Sequence, residues 1–280
     1  MDNNKTVTIV KASGEEEAFE SEKLERSLRN AGAEDKVIEK VVADIEDWIY
    51  TGATTGEIYS RAFAILRRHK TVAALRYRVK KAMMELGPTG YPFENFIGQI
   101  FERQGYKTEV GVTVEGKCVS HEIDVIATNE RNQYLVECKY NQDQGKNISV
   151  QVPLYVRSRV DDIIAKRKED KRYNDIAFSG CVVTNTRFSD DSMQYGECSG
   201  LHLVGWDYPG DEGLKDIIEK VKVYPITVLN HLLKKQKQHL LSQGIVTCSQ
   251  LLKQPDALNE FGLSERKHSA LMNELRDICG

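Results

Sequence analysis

The stretch His121-Glu122-Ile123-Asp124-Val125-Ile126-Ala127, with Glu137-Cys138-Lys139 beginning thirteen positions after Asp124, decides how this chain is read. Apolar and β-branched residues recur through Val119 to Ala127 and again through Tyr134 to Tyr140, so both runs are expected as strands. Thr108 to Val114 supplies a third, and the turn-forming Glu115-Gly116-Lys117 and Asn129 to Asn132 separate the three into a meander. Alternate side chains of a strand share a face. Glu122 and Asp124 therefore fall together on the second strand, Glu137 and Lys139 together on the third, and two carboxylates and a lysine converge from neighbouring strands. An exposed sheet face carrying an ordinary ion pair is the plain alternative. Against it, Asp124 sits among Ile123, Val125 and Ile126, and Glu137 follows Leu135 and Val136. Acids clustered on a half-buried sheet are costly unless a cation joins them.

A phosphodiester repels hydroxide by its own charge, so its hydrolysis needs a divalent cation that offsets charge and lowers the pKa of a bound water. Magnesium takes oxygen ligands and keeps several waters, so Asp124, Glu137 and the carbonyl of Cys138 suffice as protein ligands. Lys139 would orient or deprotonate the water and steady the phosphorus. Upstream, Phe93 to Arg103 carries Phe93, Phe96, Ile97, Ile100 and Phe101 on one helical stripe and closes at Gln104-Gly105-Tyr106. Glu94, in its first turn, would reach into the same place.

His121 to Asp124 followed by Glu137-Cys138-Lys139 resembles the PD-(D/E)XK nuclease signature, in particular its Mrr-type restriction endonuclease branch. The acidic helix, Gln104-Gly105-Tyr106, the strand Ile176 to Val183 with Thr184-Asn185, and the strand Leu201 to Trp206 follow that family's layout in order. The resemblance implies Glu94, Asp124, Glu137 and Lys139 as the catalytic set, Gln151 as a weaker addition, magnesium as cofactor and DNA as substrate. His121 is read as a neighbour of the site and not as a base. Val152 to Asp170 is a helix led by Pro153, and seven basic residues fall between Arg157 and Arg172. Such a run is usually a solvated face. Beside a nuclease site it would hold phosphates without reading sequence, with Arg157, Ser158 and Arg159 as the expected DNA contacts.

Residues 1–88 carry a different pattern. Thr6 to Lys11 and Glu17 to Phe19 are expected to form a hairpin around Ser13-Gly14. Helices follow over Ser21 to Ala31 (Ser21 as N-cap), Asp35 to Tyr50, Gly56 to Arg68 (capped by Thr54-Thr55) and Val72 to Glu85. Val10-Lys11, Gly14, Phe19, Lys23-Leu24, Ser27-Leu28, Ala31-Gly32 and Thr55 resemble the ATP-cone, a regulatory nucleotide-binding module. The resemblance implies that Lys11, Lys23 and Thr55 contact ATP or dATP. Physically, two lysines beside a triphosphate and a hydroxyl at a helix start suit that ligand. The cone's customary basic residue near the end of the last helix is replaced by Met83-Met84, with Lys80 and Lys81 a turn earlier.

The 280 residues include six scattered cysteines with no CxxC pair, which read as reduced thiols, and a net charge of −3 that exerts no overall pull on nucleic acid. Cys198 and His202 read as a chance pair. No apolar run reaches membrane-spanning length and Met1 to Lys5 is polar, so the expectation is a soluble cytoplasmic protein with no membrane partner. Gly87-Pro88-Thr89-Gly90-Tyr91-Pro92 reads as a linker, and residues 89–226 form the acidic middle. After Tyr224-Pro225 the pattern is helical, similar to helix-hairpin-helix modules or to a packing or dimerisation tail. The expected architecture is α/β in three parts: a small helical bundle with a hairpin (1–88), a mixed sheet flanked by helices (89–226) and a helical module (227–280). The functional expectation is a magnesium-dependent endonuclease with a nucleotide effector. The alternatives are a nucleotide-responsive DNA-binding regulator with an inactive nuclease fold, or a junction-resolving or RNA-cutting enzyme.

Overall fold

The computed structural model of the protein describes residues 7–69 and 71–280. Thr6 and Met1 to Lys5 lie outside them. The chain opens with a hairpin, β1 (Thr8–Val10) and β2 (Glu16–Ala18), in antiparallel register with Ile9 opposite Glu17. Helices α1 (Ser21–Asn30), α2 (Asp35–Trp48), α3 (Thr55–His69), α4 (Thr71–Tyr77) and α5 (Val79–Met84) follow. Ile9, Leu28, Val41, Ile45, Ala62 and Leu66 bury a common core. The amide of Val10 donates to Ala53 O at 3.0 Å and that of Gly52 to Thr8 O at 2.8 Å, which lays the start of α3 beside the hairpin.

Three local expectations change. Ser21 is the first helical residue and Glu20 precedes it in extended conformation, because the strand pairing runs on through Phe19 N to Val7 O. Thr54 alone caps α3: its hydroxyl accepts the Glu57 N–H at 3.2 Å, and the Glu57 carboxylate accepts the Thr54 N–H at 2.8 Å, a reciprocal box. The single fourth helix is two, divided at Arg78, whose amide is shared between Ala74 O and Leu75 O, both at 3.1 Å.

The second part is built on α6 (Tyr91–Arg103), β3 (Lys107–Glu115), β4 (Ser120–Thr128), β5 (Asn132–Lys139), the short β6 (Asn147–Ile148), α7 (Gln151–Arg167), β7 (Ala177–Thr184), the short β8 (Arg187–Phe188), α8 (Asp190–Ser199) and β9 (His202–Val204). The order β3-β4-β5-β7-β9 makes a five-stranded mixed sheet: the first three strands are antiparallel, as the meander requires, and β7 and β9 continue it in parallel. One face carries Val125, Val136 and Cys138 against Phe93, Phe96 and Ile97 of α6. The other carries Ile123, Ile126, Leu135 and Val182 against Val156, Val160 and Ile163 of α7. Pro153 is the third residue of α7, not the first; its missing N–H falls in the first turn, where no intrahelical partner exists.

Helices α9 (Leu214–Val221), α10 (Lys234–Ser242), α11 (Cys248–Lys253) and α12 (Glu265–Cys279) complete the described chain. Leu240, Leu251, Leu271, Leu275 and Ile278 share one apolar cluster with α5, α6 and the sheet. The segment Gly87 to Pro92 is likewise no free linker. Gly87 is buried, its N–H donates to the Tyr140 hydroxyl at 2.8 Å, and a Cβ there would meet Tyr140 at 2.8 Å and Gln142 at 2.7 Å. Among the described residues no helix is long and apolar enough to cross a membrane.

A candidate active site where two strands part

The pairing of β4 with β5 ends at Val125 opposite Val136. The next residues on each strand are Asp124 and Glu137, so the sheet opens where the acids stand. On the other side of β4 the ladder with β3 skips Gly111, which has φ +64, between the Val110–Val125 and Val112–Ile123 pairs. Only glycine adopts that backbone freely, and Gly111 stands opposite Asp124 with the register unchanged on either side. Asp124 Oδ2 accepts the N–H of Cys138 at 2.6 Å across the gap. Burial, then the negative Glu137, push the Asp124 carboxyl up to about 6. Glu94, in the first turn of α6, is pushed up to about 7 by burial and by Asp124, Glu122 and Glu137. The sequence-derived acids thus lie within one another's fields.

Glu137 is only 6% exposed and fully engaged. Its Oε1 accepts from the Tyr155 hydroxyl at 2.6 Å and pairs with Lys139 Nζ at 2.7 Å; Oε2 accepts from Arg159 Nη1 at 2.7 Å. Burial alone would lower Lys139, but its hydrogen bonds to Glu137 and Tyr155 outweigh it and hold the lysine above its usual range. Lys139 is therefore a fixed cation and not a proton acceptor. The rings and charges interlock, with Lys139 Nζ 5.6 Å and the Arg159 guanidinium 5.8 Å from the Tyr155 ring centroid. Among the described residues no group of three or more Asp, Glu, His or Cys side chains is gathered ready to hold a metal. The donor chemistry nonetheless suits a hard cation: oxygen donors, with Asp124 and the nearby Glu94 both resisting ionisation.

The expected phosphate-binding trio divides. Arg159 belongs to the cluster. Arg157 turns to Asp161 (Nε–Oδ2 3.0 Å) and to Ser199 O at 3.0 Å, and the Ser158 hydroxyl bonds back to Leu154 O. Gln151 opens α7, exposed and with no side-chain hydrogen bond among the described residues. His121 does not join the site. It sits opposite Val114 near the β3–β4 turn and bonds Asp162 Oδ2 at 2.8 Å; Asp162, which also accepts the amides of Cys118 and Val119, is held down to about 2 by His121 and those amides. Sequence reasoning missed Tyr155. The signal was its i, i+4 spacing to Arg159, which stacks the two on one face of α7.

In the first part of the chain, Lys11 pairs with Glu17 at 2.9 Å, and Lys23 pairs with Glu17 at 3.5 Å and Glu20 at 3.2 Å. Lys23, Thr55 and Glu17 line one cavity of about 180 Å³ with Phe19, Ile58 and Tyr59. Lys11 lies beside it without lining it.

Residues 87–207 match a restriction endonuclease family, and residues 224–279 match the C-terminal domain of AF1548-like proteins. A protein of Archaeoglobus fulgidus, described as an uncharacterized protein, is 30% identical over 189 residues that make up 66% of this chain and 100% of the relative. The chain belongs to the family of that archaeal protein. A crystal structure titled as a protein of unknown function, AF1548, is 29% identical with a TM-score of 0.55, covering 69% of this chain and 99% of the other. Within the family frame, the domain that carries Asp124, Glu137 and Lys139 is restriction-endonuclease-like. That domain points to a nuclease, with DNA as its substrate.

Proposed function

We propose that the chain is a magnesium-dependent endodeoxyribonuclease whose phosphodiester hydrolysis is regulated by ATP or dATP. The observation that carries the chemistry is the meeting of Glu94, Asp124, Glu137 and Lys139 at the mouth between β4 and β5. Asp124, Glu137 and the Cys138 carbonyl would hold the metal, Glu137 exchanging Lys139 and Arg159 for it. Bound magnesium would supply charge neutralisation at the phosphate and a more acidic water. Lys139, fixed as a cation, offsets negative charge that grows on the phosphoryl oxygens and orients the nucleophile. Glu94, with a proton affinity near neutrality, is suited to exchange a proton with water or the leaving oxygen. Tyr155 holds Glu137 on the site side of β5.

Cleavage of supercoiled plasmid with magnesium, alongside Asp124→Ala and Lys139→Ala, tests the proposal. Wild-type nicking lost in both variants supports it, and cleavage indifferent to both removes it. One observation favours a second reading, a nucleotide-responsive DNA-binding regulator with an inactive nuclease fold: both Glu137 oxygens are already taken. DNA binding without cleavage under magnesium would select that reading.

For regulation, we infer that the nucleotide enters the cavity lined by Lys23 and Thr55, in keeping with the resemblance to the ATP-cone, and displaces Glu17 from Lys11 and Lys23. A ligand shifts an equilibrium only by its difference in affinity for two states. Cleavage rates with and without ATP or dATP measure that difference, and identical rates without nucleotide binding would remove the regulatory claim.

A further inference from the structure

Away from the carboxylates, a cavity of about 240 Å³ lies where α1 and α4 face α9 and Trp206. Five cationic side chains line it: Lys23, Arg26, Arg76, Lys80 and Lys215. Its two acids are outnumbered and each accepts a hydrogen bond elsewhere: Asp216 from the Gly213 N–H at 3.2 Å and Glu219 from the Tyr224 hydroxyl at 3.0 Å, with Glu219 also in the field of Arg76. Arg26, Arg76, Lys80 and Lys215 form no ion pair with a carboxylate among the described residues; Lys80 lies over the Trp206 ring and Arg76 over that of Tyr224, each 5.8 Å from the centroid. Burial, with Arg187 and Lys215 adding to it and Asp207 opposing only in part, pushes Lys80 down to about 8.

A second observation is independent of charge. Only four buried side-chain N or O atoms among the described residues lack a hydrogen-bond partner, and two of them, Arg76 Nε and Tyr59 Oη, belong to residues that line this cavity. Both are able to donate. Buried orphan donors beside an excess of cations are costly unless an acceptor-rich anion completes them. The cavity also shares Lys23, Ser27, Tyr59 and Tyr77 with the 180 Å³ cavity beside the hairpin, whose remaining wall is largely apolar through Ile9, Phe19, Leu24 and Ile58.

We propose that this cavity is a phosphate-binding site gripped from two parts of the chain, Arg26 and Arg76 from the first helices and Lys80 and Lys215 from α5 and α9, with the base end of the same nucleotide in the adjoining apolar cavity. The identity of the base end rests on the nucleotide reading above; the anion site does not. In this geometry the phosphates tie the N-terminal helices to the nuclease part, which makes the ligand a brace between them.

Isothermal titration of the full chain with ATP and, separately, with inorganic tripolyphosphate tests the proposal in wild type, Arg26→Ala, Lys215→Ala, Lys215→Arg and Thr55→Val. Arg26 and Lys215 lie at the cavity rim and are not core residues, so these variants fold. Loss of one charge-assisted contact is expected to weaken both ligands by about tenfold in each alanine variant, with Lys215→Arg restoring most of it. Thr55→Val is expected to weaken ATP alone. ATP binding unchanged in both alanine variants but lost in Thr55→Val overturns the brace and leaves the nucleotide reading intact. Tripolyphosphate binding that depends on Lys215, with no extra affinity for ATP, upholds the anion site and removes the nucleotide reading. Failure of both ligands to bind overturns the proposal.

Discussion

Replacing Asp124 by asparagine removes one charge from the crowded mouth of the sheet, and its effect on the pH dependence of stability follows from the structure. The folded chain binds a proton at Asp124 more tightly than the unfolded chain does, since burial and Glu137 raise the group from 3.8 to about 6. Between about pH 4 and 6 the folded state holds more protons, so the free energy of unfolding falls as pH rises through that window. Glu94, raised from 4.5 to about 7, extends the fall to about pH 7. The displacement of Asp124 corresponds to about 3 kcal/mol at full burial. Asp124 is only part-buried, and solvent screening reduces this to about 1–2 kcal/mol. Asparagine still accepts the Cys138 N–H, so the local fold persists. Urea unfolding at pH 4 and pH 8 is therefore expected to show a smaller loss of stability with pH in Asp124→Asn than in wild type, by about 1–2 kcal/mol. The same variant is expected to lose plasmid cleavage. An identical pH-dependent loss in the two proteins would refute the account of a crowded, partly desolvated carboxylate cluster.

Glu137→Gln leaves Lys139 and Arg159 without their shared counter-charge in a part-buried place, and is expected to cost about 2–4 kcal/mol in urea unfolding besides abolishing cleavage. Gly87→Ala pushes a methyl group into Tyr140 and Gln142; a loss of about 1–3 kcal/mol is expected, together with slower cleavage at saturating magnesium. Tyr155→Phe removes the hydroxyl that holds Glu137 and is expected to lower the cleavage rate while leaving magnesium-free DNA binding, measured by gel shift, unchanged. His121→Ala breaks only the clasp on Asp162 and is expected to retain full cleavage, with the loss confined to thermal stability.

The strand periodicity around Asp124 and Glu137 was legible because a two-residue repeat fixes which side chains share a face, and Glu137 and Lys139 do meet at 2.7 Å. Glu94 was legible from the helix start ahead of it. The parting of β4 from β5 was not, since it depends on where a ladder ends, which leaves no mark within the motif itself. Arg159 looked like one of a run of surface cations; only the packing of α7 on the sheet separates it from Arg157, which spends its charge on Asp161. His121 drew attention by standing three residues from Asp124, yet an odd spacing in a strand turns the two side chains to opposite faces, and His121 meets Asp162 of α7. The C-terminal helices read as a separate tail because helical spacing reports a buried face and says nothing of what covers it; here the cover is α5, α6 and the sheet.

That shared core gives the first helices a route to the site. Lys139 is followed by Tyr140, whose hydroxyl donates to Met84 O at 2.7 Å and accepts the Gly87 N–H at 2.8 Å. Asn185, on the strand exit beside it, bonds Asn141 O at 2.7 Å and Met84 Sδ at 3.1 Å. The end of α5 is thus held directly by the residue next to Lys139, and α5 also carries Lys80, which lines the cationic cavity. A ligand that draws α4 and α5 towards α9 acts on Met84 and Gly87, and through them on the backbone of Tyr140. Close-packed interiors deform little and shift as units, so a displacement of that backbone moves Lys139 and, through the neighbouring Cys138 N–H, the anchor of Asp124. Small changes at a positioned charge alter rate more than affinity, and regulation through this route is therefore expected in the cleavage rate and not in the strength of DNA binding.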